Sequence, residues 1–373
     1  MPYNLQETSD VSCSTRRPQY KHAERACSCY TIGMSNTKLH DIAKALVSPR
    51  KGILAADQSP NSMNKQLEAN GIPPEAEMRR KYRQLMFTTP NIEQYVSGII
   101  MHDGTIRNYT DDKTQFSDVL IAKGIIPIIK VDTGTVSHSG FPGEVVTQGL
   151  DGLALRLSEY YNMGARAAKW RAVFTITDST PTEQNVVFDM IQMVRYAALC
   201  QEAEIVPIVE PEVIFSGPHS LERAEEVTTM VLKKLFELLI WYKVDLKGLI
   251  LKSSMVLAGS EYQEQTPAKM VAEATLRTFE NSVPPDVPGI VFLSGGQTPQ
   301  RATENLDAIA ELEIARGNLP WEFAFSFSRG IEVPVQATWL GKEENIPAAQ
   351  AMLLERLKLN SMADQGTYEA SMG

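Results

Sequence analysis

The chain has 373 residues, 43% of them hydrophobic, which is enough for one large barrel domain or two ordinary domains. A net charge of −9 excludes a general affinity for nucleic acid or acidic membranes, so an anionic ligand must be held by a local cationic pocket. No run of about 18 apolar residues occurs, so no segment reads as a bilayer span.

The four cysteines, Cys13, Cys27, Cys29 and Cys200, make no disulfide framework for a chain of this length. They point to a reducing compartment, read here as the cytoplasm. Cys27 and Cys29 have no second Cys or His pair at a zinc-like spacing, so no metal site is read there.

Residues 1–34 are polar and carry Arg16, Arg17, Lys21 and Arg25 among Glu7, Asp10 and Glu24. Without an apolar core segment or a helical stripe they read as a disordered extension, with Met34 as an alternative start. A helix over 36–48 precedes the first strand. From there, short apolar runs alternate with amphipathic stretches. The runs lie at 52–57, 96–103, 125–132, 167–174, 204–213, 247–255, 289–296 and 322–329. Near-continuous apolar runs of this length read as parallel strands buried on both faces. Helical patterns at 75–88, 150–163, 182–202, 219–243, 266–283 and 299–316 fall between strands, and a charged helix at 342–361 closes the chain. Eight strand–helix units predict a single-domain α/β fold, a (β/α)8 TIM barrel over 35–361 with a short, frayed tail at 362–373. An open doubly wound sheet or two half-size domains are the competing arrangements.

Polar residues gather at the C-terminal ends of these strands: Asp57, Asp103, Lys130, Lys169, Arg171, Glu210, Glu212, Lys252, Ser294 and Arg329. In a barrel, catalytic groups come from that rim, because the strand bodies are packed core. Side chains alternate along a strand, so Lys169 and Arg171 share a face, as do Glu210 and Glu212. Asp103 has the opposite parity to His102 and is expected to brace the rim. No glycine-rich nucleotide loop follows the first strand, and the cationic excess argues against a divalent-metal cage. A buried lysine among other cations has its pKa pushed down, which exposes a free amine that can attack a carbonyl. The same cations would hold a phosphorylated substrate.

The runs AADQS (55–59), TQGLDGL (147–153), KWR (169–171), VPIVEPEV (206–213), ILKSSMV (250–256), LSGGQ (293–297) and SFSRG (326–330) resemble class I fructose-bisphosphate aldolase, from about residue 35 to 366. The resemblance implies a cofactor-free and metal-free lyase of glycolysis and gluconeogenesis, a homotetramer, and a family with known cytoskeletal partners. It would cleave fructose 1,6-bisphosphate reversibly to dihydroxyacetone phosphate and glyceraldehyde 3-phosphate. Carried over, it makes Lys252 the Schiff-base lysine, Glu210 the general acid/base and Glu212 the residue that orients Lys252. Asp57 would take the proton whose loss breaks the C3–C4 bond, and Lys169 would supply positive charge beside the nucleophile. Ser294, Gly295 and Arg329 would hold the phosphate on the dihydroxyacetone side, with Ser326 in the same substrate-binding set. Ser59, Ser62, Lys130 and Arg171 would contact the phosphate on the aldehyde side. Ser59 and Ser62 read equally as a helix cap, and Glu212 with Arg171 as an ion pair.

The resemblance lapses around the site. Gln58 stands for the usual Glu, and Ser59-Pro60-Asn61-Ser62 for Ser-Thr-Gly-Ser. Gln66 stands for Arg, Ser253-Ser254 for Pro-Asn, and Phe327-Ser328 for Tyr and a small residue. The family's tail ending in tyrosine, thought to assist proton transfer at the enamine, has no match, since Tyr368 aligns with an earlier position. These changes spare the lysine chemistry and bear on substrate preference. Two further readings stay open: an aldolase shifted towards a ketose monophosphate or a longer bisphosphate, and a weakened barrel kept as a binding or scaffold protein.

Overall fold

The computed structural model describes residues 36–317 and 319–372. The expectations for 1–34 and for Cys13, Cys27 and Cys29 lie outside the described residues. Eight parallel strands form one sheet in the order β1 (Gly52–Ala56), β2 (Val96–Met101), β3 (Ile126–Lys130), β6 (Ala167–Phe174), β7 (Val206–Val213), β8 (Ile250–Ser253), β9 (Gly289–Phe292) and β10 (Glu322–Phe325). Each falls within an apolar run read from the sequence, and helices fill the intervals, as in a (β/α)8 barrel. The missing numbers belong to an antiparallel hairpin above the rim, β4 (Thr135–Ser137) and β5 (Val145–Thr147). That hairpin was not anticipated, because three-residue strands give too short a period to detect. The helices Phe116–Ala122 and Arg329–Trp339 lie outside the helical patterns read from the sequence, the second because Pro334 interrupts its pattern, while Pro60–Ala69 is the helix that the cap reading of Ser59 requires.

Strand parity explains both the core and the site. One face of the strands supplies Ile53, Ala55, Ile100, Ile128, Ala167, Val206, Ile208, Ile250, Val291 and Ala324 to the barrel interior. Leu39, Ala43 and Leu46 of the first helix, Asn36–Leu46, belong to the same cluster and plug its N-terminal mouth. The other face packs Leu54, Ile99, Ile129, Trp170, Val209, Leu251, Ile290 and Phe325 into the layer shared with the helices. Two residues beyond the last apolar interior position, each strand presents a residue to the upper mouth: Asp57, His102, Lys130, Lys169, Glu210, Lys252, Leu293 and Ser326.

The sheet has one seam. No ladder joins β1 to β10, and across that gap the Ala55 N–H donates to Phe327 O at 3.1 Å. The Phe325 ring fills the space beside Gly52, where a Cβ would come within 2.3 Å of it. At the far end, the stretch 362–368 is tied down, against the expectation of a frayed tail. The last long helix runs to Ala363, and the buried Tyr368 donates its backbone N–H to Asp307 Oδ1 at 2.9 Å.

Candidate active site

Every site residue read from the sequence lines one cavity of about 430 Å³ at the C-terminal mouth: Asp57, Ser59, Ser62, Lys130, Lys169, Arg171, Glu210, Glu212, Lys252, Ser294, Gly295, Ser326 and Arg329. Gln58, Gln66 and Ser328, where the resemblance lapses, line it as well.

At its floor four buried charges interlock. Lys252 Nζ lies 3.1 Å from Glu210 Oε1, while Lys169 Nζ lies 2.9 Å from Glu210 Oε2 and 2.6 Å from Asp57 Oδ2. The Lys169–Glu210 contact is an ion pair rather than an aligned hydrogen bond, since no donor is aimed at Oε2. Burial and the neighbouring Lys169 push the Lys252 ammonium below the usual lysine range, against the opposing pull of Glu210. Burial alone would lower Lys169 too, but Asp57, Glu210 and Asp132 together hold it above its ordinary value. Asp57 and Glu210 are raised by burial and lowered further by the lysines, so both end below the carboxylate range. The result is two carboxylates and one ammonium held charged beside a lysine whose proton is loosened.

Glu212 does not touch Lys252. It pairs with Arg171 of β6, whose ladder partner on β7 is Glu210, so the pair runs diagonally across the two strands, and the carboxylate beside Lys252 is Glu210. Ser59 caps the helix Pro60–Ala69, accepting from the Ser62 N–H at 3.3 Å while still lining the cavity. Asp103 braces the rim: it accepts from Arg107 Nε at 2.8 Å and from the Tyr160 hydroxyl at 2.9 Å. Ser254 Oγ donates to Val213 O at 3.0 Å and ties β8 to the strand that carries the glutamates.

Asp132 was overlooked. It is 8% exposed, pairs with Lys130 Nζ at 2.7 Å and accepts the Arg171 backbone N–H at 3.4 Å. The period-2 argument used for Lys169 and Arg171 would have found it, since Lys130 and Asp132 share a face. Tyr368 is not among the residues lining the cavity.

The remaining wall suits a phosphate. After β9, Gly295 and Gly296 take φ of +60° and +98°, which only glycine adopts readily. A Cβ on Gly296 would sit 3.4 Å from Arg329 Nη2. Arg329 opens the helix Arg329–Trp339, whose free backbone N–H groups favour an anion. Among the described residues Arg329 makes no ion pair, whereas Lys130 and Arg171 each face a carboxylate. The Ser326 hydroxyl is buried without a partner. Among the described residues no group of three or more His, Cys, Asp or Glu could hold a metal ion.

Fold and site are those of a (β/α)8 enzyme with a lysine at its centre and a cationic mouth. The family model for class I fructose-bisphosphate aldolase, the glycolytic type, matches residues 38–373. A protein of Xanthomonas axonopodis pv. citri named probable fructose-bisphosphate aldolase class 1 is 44% identical over 90% of this chain and 100% of its own length. The fructose-bisphosphate aldolase of Drosophila melanogaster is 44% identical over 89% of this chain and 91% of its own. The solved Plasmodium falciparum fructose-bisphosphate aldolase, in complex with TRAP and a small-molecule inhibitor, matches with a TM-score of 0.87 and 40% identity. It covers 90% of this chain and 96% of that one. The chain belongs to the class I fructose-bisphosphate aldolase family, a family of carbon–carbon lyases.

Proposed function

We propose that the chain cleaves fructose 1,6-bisphosphate to dihydroxyacetone phosphate and glyceraldehyde 3-phosphate, and condenses them in reverse, through a Schiff base on Lys252. The observation that carries this reading is the buried Lys252–Glu210–Lys169–Asp57 chain, with contacts of 2.6–3.1 Å. The loosened proton leaves a free Lys252 amine to attack the C2 carbonyl. Glu210, 3.1 Å away, is placed to carry protons as the carbinolamine forms and loses water. Asp57 then takes the C4 hydroxyl proton, the C3–C4 electron pair moves into the iminium, and the aldehyde departs. Lys169, against both carboxylates, offsets the negative charge that develops there. Protonation of the enamine at C3 and hydrolysis return the lysine. Cleavage measured by a coupled NADH assay tests the reading: Lys252→Met is expected to abolish turnover, and retention of parental turnover would overturn it.

One observation favours a broadened substrate range. The cations on the aldehyde side, Lys130 and Arg171, are already paired with carboxylates, and Gln66, in place of Arg, accepts from Gln336 Nε2 at 3.1 Å. Among the described residues Arg329 makes no such pair. A weak demand for the second phosphate follows, so fructose 1-phosphate is expected to react within about tenfold of the bisphosphate in kcat/KM, about 1.4 kcal/mol. A preference of a thousandfold for the bisphosphate would exclude this second reading.

We infer further that the chain acts in the cytoplasm as a homotetramer, with residues 35–361 as the catalytic domain and 1–34 dispensable. The buried free Cys200 and the exposed Ile240, Trp241 and Leu155 support these readings. Light scattering of the full chain, cell fractionation and truncation at Met34 test them. No helix among the described residues is long and apolar enough to cross a membrane.

A further inference from the structure

We propose that Gln58, Arg83 and Glu332 form a polar clamp across the barrel seam, and that this clamp sets the grip on the substrate's C1 phosphate. The proposal rests on the aldolase reading above. Gln58 follows Asp57 just beyond the end of β1, and Ser328 stands at the N-cap position of the helix that begins with Arg329, with no capping bond from its side chain. These two segments flank the seam where no strand ladder fixes their distance. Gln58 spans it. Its Nε2 donates to Ser328 Oγ and to Glu332 Oε1, both at 2.7 Å, and its Oε1 accepts from Arg83 Nη2. Arg83 Nη1 closes the ring on Glu332 Oε2 at 3.2 Å. The Arg83 and Glu332 side chains are 4% and 1% exposed, so their pair is shielded from water, while the half-buried Gln58 closes the ring at the edge of the cavity.

Charge explains why residue 58 is an amide. One guanidinium and one carboxylate already balance, and the third member must both accept from the cation and donate to the anion. Glutamine does both through one side chain. A carboxylate at 58 would set two buried anions against a single guanidinium, and the side chain would no longer donate to Glu332. The ring touches none of the reacting groups. It acts through Ser328 and the start of the following helix, which place Arg329 and its backbone N–H groups opposite Ser294 and Gly295. Gln58 is therefore a positioning residue, and its effect falls on phosphate binding rather than on the lysine chemistry.

The test is borohydride trapping at Lys252 on the full chain, titrated with dihydroxyacetone phosphate and, separately, with unphosphorylated dihydroxyacetone. For Gln58→Glu the half-saturating concentration of the phosphate ester is expected to rise at least tenfold, with that of dihydroxyacetone unchanged within about twofold. The exchange Gln58→Glu with Glu332→Gln restores one carboxylate, one amide and one guanidinium, and is expected to bring the phosphate ester back within threefold of the parent. Ser328→Ala, which removes a single bond of the network and keeps the charge balance, should raise it by a smaller factor. The clamp is overturned if Gln58→Glu leaves both titrations unchanged, if both probes shift together, or if the folded double variant is not rescued. Should the parent chain itself gain no mass at Lys252 with either probe, the aldolase reading fails first, an outcome distinct from all three.

Discussion

Replacing Arg329 with alanine isolates the phosphate wall from the rest of the site. Its guanidinium lines the cavity beside Gly296 and, among the described residues, makes no ion pair. Its removal therefore strands no buried carboxylate, and the folded state should lose little. A charge-assisted bond to a phosphate contributes about 1.5–3 kcal/mol, and the helix N-terminus remains to hold part of the charge. A loss of about 2 kcal/mol corresponds to a fall of about 30-fold in kcat/KM. Because the C1 phosphate is shared, fructose 1,6-bisphosphate and fructose 1-phosphate should suffer equally, with most of the change in KM. The coupled assay on both sugars, with thermal denaturation alongside, measures this. A change below threefold, a loss confined to the bisphosphate, or a Tm drop of more than a few degrees would refute the reasoning.

Lys130→Met should behave oppositely. It leaves Asp132, 8% exposed, without its cation, so it should lower stability by about 3 kcal/mol while impairing the bisphosphate more than the monophosphate. Equal impairment of both sugars in the same assay would count against that assignment. Burial, and after it Lys169, lower the proton affinity of Lys252, so the midpoint for trapping against pH should lie below the ordinary lysine value and move upward in Lys169→Met. A downward move would contradict the electrostatic account. Away from the site, burial and then Glu313 raise Asp364 from 3.8 to about 8. A raised carboxylate favours the folded state when protonated, so its contribution is complete below about pH 4 and is lost as pH rises through about 8, at up to about 1.4 kcal/mol per unit. Asp364→Asn should flatten that decline in Tm measured from pH 5 to 9. A curve parallel to the parent's would dismiss it.

The barrel strands were legible because a parallel strand buried on both faces is a short unbroken apolar run, and its helices carry a separate period. The rim was legible for the same reason: a charge two residues above Ile208 or Ile250 has no packing role in such a strand. Asp132 is accessible to the same argument, since it lies two residues beyond Lys130 on the same face. The Gln58–Arg83–Glu332 ring was not legible, since its members are 25 and 274 positions apart along the chain and meet only where the barrel closes. The Arg171–Glu212 pair was foreseen as an alternative, but parity could not say which carboxylate would face Lys252. That choice depends on how far each strand projects above the core: Glu210 is level with Lys252, and Glu212 stands a step higher beside Arg171.

The central claim is that Lys252 captures the carbonyl of a sugar phosphate. Incubation with dihydroxyacetone phosphate and sodium borohydride, followed by peptide mass mapping, tests it most directly. The account predicts one reduced adduct per chain, carried by the peptide containing Lys252 and absent from Lys252→Met. An unmodified Lys252, or an adduct that persists in Lys252→Met, would contradict it.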